Sequence, residues 1–221
     1  MTDTPKQIAV FDINGTLLHD NIGVLFIRHL FRRGKLPLLT MLLISFIYPL
    51  VKLRLLSFRY AILLGIWGVA GMTEQEAEQE AQLCFDAVMK PKLLQDGLKE
   101  IAHCQQRGIP IILATGSQIS IAKIFQKHVQ ADELIAATTQ LDSNGRFSMR
   151  AQKPLPFKTG KRDLVLALKN KKAPQSKMTV YSDTIKDTAL LEAADHPIAV
   201  NATTEFSAWV KSQNGSVRHF K

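Results

Sequence analysis

The chain has 221 residues and only two cysteines, Cys84 and Cys104. So few thiols exclude a disulfide framework and a cysteine-based metal centre, and point to two reduced, half-buried side chains. Negative charge is missing over a long interval. No Asp or Glu occurs between Asp20 and Glu74, whereas Arg28, Arg32, Arg33, Lys35, Lys52, Arg54 and Arg59 all fall there. The net charge of +9 is therefore concentrated, and a block of one sign points to an anionic partner, either nucleic acid or an anionic membrane. The chain has no internal repeat and no low-complexity tract. The opening MTDTPKQ has no apolar run behind a basic flank, so no secretory signal is expected. No apolar run reaches spanning length either. The longest, LPLLTMLLISFIYPLV at 36–51, would extend about 24 Å as a helix, short of a hydrocarbon core of about 30 Å.

What is present is a chain 46% hydrophobic, enough for one well-cored domain with a sizeable insertion. QIAVFD (7–12), IPIILATGS (109–117), MTVYSD (178–183) and PIAVN (197–201) are short apolar runs with β-branched residues and no alternation, the pattern of buried parallel strands. ELIAAT (133–138) is a weaker strand. Helical patterns lie between them, in PKLLQDGLKEIAHCQQRG, QISIAKIFQKHV and TGKRDLVLALKN. Strands alternating with helices predict an α/β domain with a mostly parallel sheet. LDSNGRFSM places Asn-Gly between alternating residues and predicts a β-hairpin at 140–149. Residues 19–94 break the rhythm and predict a helical insertion, with 1–18 and 95–221 forming the core. Within the insertion, Thr73 and Glu76 form a capping box opening an acidic helix at 74–89.

Three of the strands end in polar residues: Asp12, then Thr115-Gly116-Ser117, then Asp183 followed by Asp187. In an open α/β sheet, ligands bind beyond the carboxyl ends of the strands, so these residues are expected on one rim. Crowded carboxylates repel each other unless a cation lies between them, and oxygen ligands favour Mg²⁺. A hydroxyl with backbone N–H groups at a helix N-terminus makes a phosphate cradle. A Lys at a helix start, Lys161 or alternatively Lys158, would neutralise a phosphoryl group. Together these residues fit phosphoryl transfer with Asp12 as nucleophile and Mg²⁺ as the screening charge.

FDINGTLL (11–18) resembles the first motif of the haloacid dehalogenase-like (HAD) phosphatases, usually DxDGT. LATGS resembles their second motif, Gly160-Lys161 their third, and YSDTIKDTALL their fourth, all in family order over residues 8–201. The resemblance implies a Rossmann-like core and an aspartyl-phosphate on Asp12. It also implies Mg²⁺ held by Asp12, Asp183 and the backbone carbonyl of Asn14, with Asp187 in support. Phosphate contacts would come from Thr115, Gly116, Ser117, Gly15, Thr16 and Lys161. An insertion between the first two motifs is where the family's C1-type cap sits.

The family normally has a second Asp at position 14, to protonate the leaving oxygen and then activate water. Asn14 has no titratable proton, and losing general acid–base catalysis costs roughly 10² to 10⁴ in rate. Three readings stand: a change introduced to trap a substrate or intermediate, a native residue in an enzyme that uses another acid or turns over slowly, or a non-catalytic phosphate-binding relative. His19 is a candidate substitute acid.

The insertion carries the partner expectations. The runs at 36–51 and 60–72 are apolar almost all round, with cations at their ends and KLRLLSFR between them. Asp12 and Thr115 belong to one site on either side of this segment, so the chain crosses a membrane twice or not at all. Two helices too short to span predict a re-entrant or interfacial hairpin over residues 28–72, with Arg and Lys reaching anionic headgroups and Tyr48 and Trp67 at the interface. A soluble cap or dimer burying these faces is the alternative. Nucleic acid is not expected, because the cations alternate with leucine runs. The segment also resembles the cap of bacterial phosphatidylglycerophosphatases of the C type. That implies a phospholipid phosphate substrate met at the cytoplasmic face of the bacterial inner membrane, with a phosphoserine-like small metabolite as the alternative substrate.

Overall fold

The computed structural model describes residues 6–53 and 55–221. Arg54 and the polar start at 1–5 lie outside the described residues, and of the Lys52 side chain nothing is described. The Gln7–Phe11 strand (β1) leads into an insertion of four helices: Ile22–Arg32 (α1), Leu38–Lys52 (α2), Arg59–Trp67 (α3) and Glu74–Cys84 (α4). The last continues through a wider turn at Phe85–Met89. Gln95–Gln106 (α5) returns the chain to the sheet at Ile111–Gln118 (β2), followed by Ile119–Val129 (α6) and Glu133–Ala137 (β3). A hairpin of Thr139–Leu141 (β4) and Phe147–Ala151 (β5) precedes Thr159–Lys172 (α7) and Lys177–Ser182 (β6). Thr188–Glu192 (α8), His196–Val200 (β7), Thr204–Ser212 (α9) and Ser216–Arg218 (β8) complete the chain.

The sheet order is β3-β2-β1-β6-β7-β8, and every pair in it is parallel. The α/β expectation is therefore met. Being parallel, the strands all present their carboxyl ends at one edge. β1 lies between β2 and β6, with Phe11 level with both Leu113 and Tyr181. Successive crossovers run one way to β2 and β3 and the other way to β6 and β7, which puts the crevice beyond β1 at a topological switch point. The apolar strands bury both faces. Ile8, Val10, Ile112 and Val180 pack on one side, and Phe11, Ile111, Leu113 and Tyr181 on the other. β8, only three residues long, carries no periodicity and was not anticipated.

The capping box is present as read: Thr73 Oγ1 accepts from Glu76 N and Glu76 Oε2 from Thr73 N. The hairpin forms as well, but its turn is longer than a two-residue Asn-Gly loop. Asp142 Oδ1 accepts from the backbone of Asn144 and Arg146, and Gly145 takes the left-handed conformation at φ +72°. The hairpin is bonded to the insertion: Phe147 N donates to Met72 O and Gly71 N to Phe147 O.

The two apolar helices of the insertion, alike in composition, have different fates. α3 is packed between the core and the hairpin, with Ile62, Leu64 and Ile66 buried. Its Trp67 indole donates to Met149 O at 2.9 Å. The polar edge of Trp67 is thus bonded to the hairpin backbone, while the residue itself is half-buried. α2 is held by Thr40, buried and donating to Trp67 O, but its outer face is bare. Leu38, Leu39, Leu42 and Phe46 are 59 to 78% exposed, and Leu53 and Leu55 follow them at 68 and 69%. Arg28, Arg32, Lys35 and Arg59 are exposed on the same insertion. Among the described residues, no helix is long and apolar enough to cross a membrane.

Candidate active site

Asp12 is the first residue past β1, and its N–H still donates to Tyr181 O. The chain then turns sharply at Gly15, φ +68°. A Cβ there would lie 2.0 Å from Asp183 Oδ2, so only glycine lets the carboxylate at the end of β6 close onto the end of β1. Asp12 and Asp183 thus meet at the crevice, from adjacent strands. Lys161, buried in the first turn of α7, donates to Asp12 Oδ1 at 2.9 Å and to Asp187 Oδ2 at 2.6 Å. Its helix approaches closely because Gly160 faces Leu155 O, 2.3 Å from where a Cβ would stand.

The electrostatics follow from burial. Burial raises the Asp12 carboxyl to about 6, with Lys161 opposing the rise and Asp187 adding to it. Burial, then the charges of Asp12 and Asp187, raise Asp183 to about 7. Burial works against the Lys161 charge, but the two carboxylates outweigh it and hold the ammonium protonated above its ordinary range. One cation is shared by three crowded acids, so the crevice favours a further positive charge.

The donor set decides which ion fits. Among the described residues, no three His, Cys, Asp or Glu side chains group as metal ligands. Asp187, expected to support the metal, is engaged elsewhere. Its Oδ2 accepts from Lys161 and also from Ser182 Oγ at 2.8 Å, so it orients the lysine. What remains is two carboxylates beside backbone carbonyls. This suits Mg²⁺, which takes one or two protein carboxylates and fills its shell with water and phosphate oxygens.

Thr115, Gly116 and Ser117 close β2, and Gly15 and Thr16 lie in the turn after β1. Thr115 is fully buried and its Oγ1 accepts from Ser117 N at 3.2 Å, while Gly116 lies under the cap, 3.1 Å from Ile62 Cδ1 to a Cβ placed there. Gln118 caps α6 by accepting from Ser120 N, so one donor of that helix terminus is already satisfied. Thr16 Oγ1 is buried without a hydrogen-bond partner. Asn14 reaches both sides: its Nδ2 donates to Ser117 Oγ at 3.4 Å and its Oδ1 accepts from Ile22 N at 2.8 Å. His19 is exposed, with its backbone tied to Lys92, and Lys158 is exposed beside Phe157. Of the two candidate lysines, Lys161 is the one at Asp12.

Two contributors had no signal in the sequence. Ser182 fixes Asp187, and Asn201, at the end of β7, donates to Gly15 O at 3.4 Å while exchanging bonds with the Phe220 backbone. Short polar residues after a strand usually only cap or turn the chain.

A model of the haloacid dehalogenase-like hydrolase family matches residues 9–192. No curated protein matches the chain significantly in sequence. Among solved structures, a protein with unknown function from Bordetella pertussis Tohama I superposes with a TM-score of 0.87 at 20% identity, covering 97% of this chain and 98% of that one. A substrate-bound phosphoserine phosphatase complex gives 0.67 at 11%, covering 97% and 94%. A phospho-aspartyl intermediate analogue of phosphoserine phosphatase gives 0.66 at 12%, covering 96% and 93%. At these identities the likeness is one of fold.

Proposed function

The chain belongs to the haloacid dehalogenase-like hydrolases, and on that footing we propose that it is a Mg²⁺-dependent phosphomonoesterase acting on a membrane phospholipid. Phosphatidylglycerophosphate is the proposed substrate and phosphatidylglycerol the product. An Asp12 carboxylate oxygen attacks phosphorus and the P–O bond to the lipid alcohol breaks, the leaving oxygen taking its proton from solvent water, and phosphate stays on Asp12 until a water molecule hydrolyses it. The phosphoserine phosphatase whose phospho-aspartyl analogue shares this fold supports that route. Asp12, Asp183 and the Asn14 carbonyl would hold Mg²⁺, which supplies charge neutralisation on the phosphoryl oxygens. Lys161, kept protonated and aimed by Asp187 and Ser182, balances charge at Asp12. Thr115, Gly116, Ser117, Gly15 and Thr16 surround the phosphoryl group. Asn14 orients but exchanges no proton, so turnover by this chain is slow.

The bare outer face of α2 carries the lipid reading. Four large apolar side chains on one helix, with Leu53 and Leu55 beyond and exposed cations around, match an anionic bilayer surface. Residues 21–73 also contain no Asp or Glu, so this part of the cap offers no carboxylate to pair with the ammonium of an amino-acid substrate. The proposed place of action is the cytoplasmic face of the bacterial inner membrane. A second reading, a phosphatase for a small metabolite such as phosphoserine, draws on the fold shared with phosphoserine phosphatases and on the burial of α3.

Phosphate release separates the two readings. The chain and its Asn14→Asp variant are assayed with Mg²⁺ on phosphatidylglycerophosphate in mixed micelles and on phosphoserine in solution. Preference for the lipid by Asn14→Asp supports the proposal. Hydrolysis of phosphoserine alone replaces it with the small-metabolite reading.

A further inference from the structure

The start of α3 makes two contacts with the core, one turn apart. Ile62 abuts Gly116 of the phosphate loop. Four residues earlier, about 6 Å along the helix, the Phe58 ring lies 5.7 Å from that of Phe157, between centroids. Lys186 Nζ stands over the Phe58 ring, 3.5 Å from its centroid. Phe157 and Lys186 come from different core loops. Phe157 leads into Gly160-Lys161, and Lys186 adjoins Asp187. One aromatic side chain of the cap thus touches both segments that set the Lys161–Asp187 pair, and its helix touches the third segment, which would bind phosphate.

At the far end of α3 the Trp67 indole is fixed on Met149 O, while the contacts of the helix with Ala137, Ala151 and Leu155 are apolar and set no preferred angle at the Phe58 end. An ammonium over a ring face is directional even where the lysine, like Lys186, is exposed. We propose that Phe58 is a positioning residue: clasped by Lys186 and Phe157, it seats α3 over the phosphate loop and so retains the substrate. This rests on the phosphomonoesterase reading but not on the substrate being a lipid.

The test uses p-nitrophenyl phosphate with Mg²⁺, in an Asn14→Asp background, on Phe58→Leu, Phe58→Tyr, Lys186→Met and the Phe58→Leu/Lys186→Met double variant. Leu keeps apolar bulk without the ring quadrupole, and Tyr keeps the ring. Phe58→Leu and Lys186→Met are each expected to raise KM about two- to fivefold with kcat little changed, and the double variant to be no worse than the worse single one. Phe58→Tyr should behave like the parent. A second readout needs no turnover. With Trp209 replaced by Phe, Trp67 on α3 reports how the cap sits, and inorganic phosphate with Mg²⁺ should shift its emission in the parent but not in Phe58→Leu. Additive effects, Phe58→Tyr behaving like Phe58→Leu, or an unchanged Trp67 response in Phe58→Leu would each overturn the proposal while leaving the phosphomonoesterase reading intact. A parent that neither hydrolyses the aryl phosphate nor responds to phosphate would remove that reading and the proposal with it.

Discussion

Asn14 Oδ1 accepts a 2.8 Å hydrogen bond from the Ile22 backbone N–H, so the residue at the acid–base position also fixes the first turn of α1. A backbone N–H can only donate, so the oxygen must face Ile22 and the amide nitrogen must face Ser117. A carboxylate would keep the first bond and accept from the Ser117 hydroxyl in place of the second. Asn14→Asp is therefore expected to fold alike, with Tm within a few degrees, and to gain about 10² to 10⁴ in phosphate release. An unfolded variant would refute the structural half, and an inert folded one the catalytic half.

Lys161 is shared between two buried carboxylates. Lys161→Met keeps much of the side chain's bulk but leaves Asp12 and Asp187 facing each other without a cation. Removing one partner of a buried pair costs about 3 to 5 kcal/mol. The expected outcome is a clear fall in the urea midpoint at pH 7, with loss of activity. Because the carboxylates would then repel, the variant should regain stability as pH falls and they take up protons. A midpoint that does not change with pH would contradict this.

Glu80 ties α4 to α1 through His29 at 3.0 Å and Arg33 at 3.4 Å. Burial pushes its carboxyl up, but the hydrogen bonds from Arg33 and His29 outweigh burial and leave it below its ordinary 4.5. A depressed pKa means the stability gained is fully present above the unfolded value and is lost as pH falls through the folded one. Glu80→Gln should therefore lower Tm at pH 7, and the gap to the parent should close in acid. Melting curves from pH 3 to 7 check it.

Both cysteines are buried and free. Burial, with the charge of Glu80 nearby, raises the Cys84 thiol to about 12, and burial also raises Cys104. Burial disfavours the thiolate and shields both sulfurs, so a disulfide reagent such as DTNB should label neither until denaturant is added. Rapid labelling of the native chain would place a thiol at an accessible, activated site.

The sheet and the chemical rim were legible because each rests on a strong local signal. Short apolar runs rich in β-branched residues and alternating with helical patterns read as buried strands, and the polar residues ending them fall at one edge once the strands are parallel. The insertion was legible as helical, but its two apolar helices could not be told apart. With apolar residues on every side, neither has a periodicity marking an outer face. What separates them is tertiary: α3 lies against β2 and β5, and among the described residues α2 has no such partner on its outer side. The indole bond of Trp67 was illegible for the same reason, since its partner, Met149, is 82 residues away in sequence. The resemblance implied Asp187 in support of the metal site, and its bonds to Lys161 and the hydroxyl of Ser182 were not legible, because Lys161 is 26 residues away in sequence.

The central claim is that the α2 face delivers a lipid phosphate to Asp12, and it is tested most directly by a ratio of two rates. The Asn14→Asp enzyme and the same enzyme carrying Leu42→Glu and Phe46→Glu are assayed on phosphatidylglycerophosphate in anionic vesicles and on p-nitrophenyl phosphate in solution. Both substituted residues are exposed, so the fold and the aryl phosphatase rate should persist. The expected result is a fall of about tenfold or more in the vesicle rate alone, from lost apolar insertion and added repulsion. An unchanged ratio of the two rates would contradict the account.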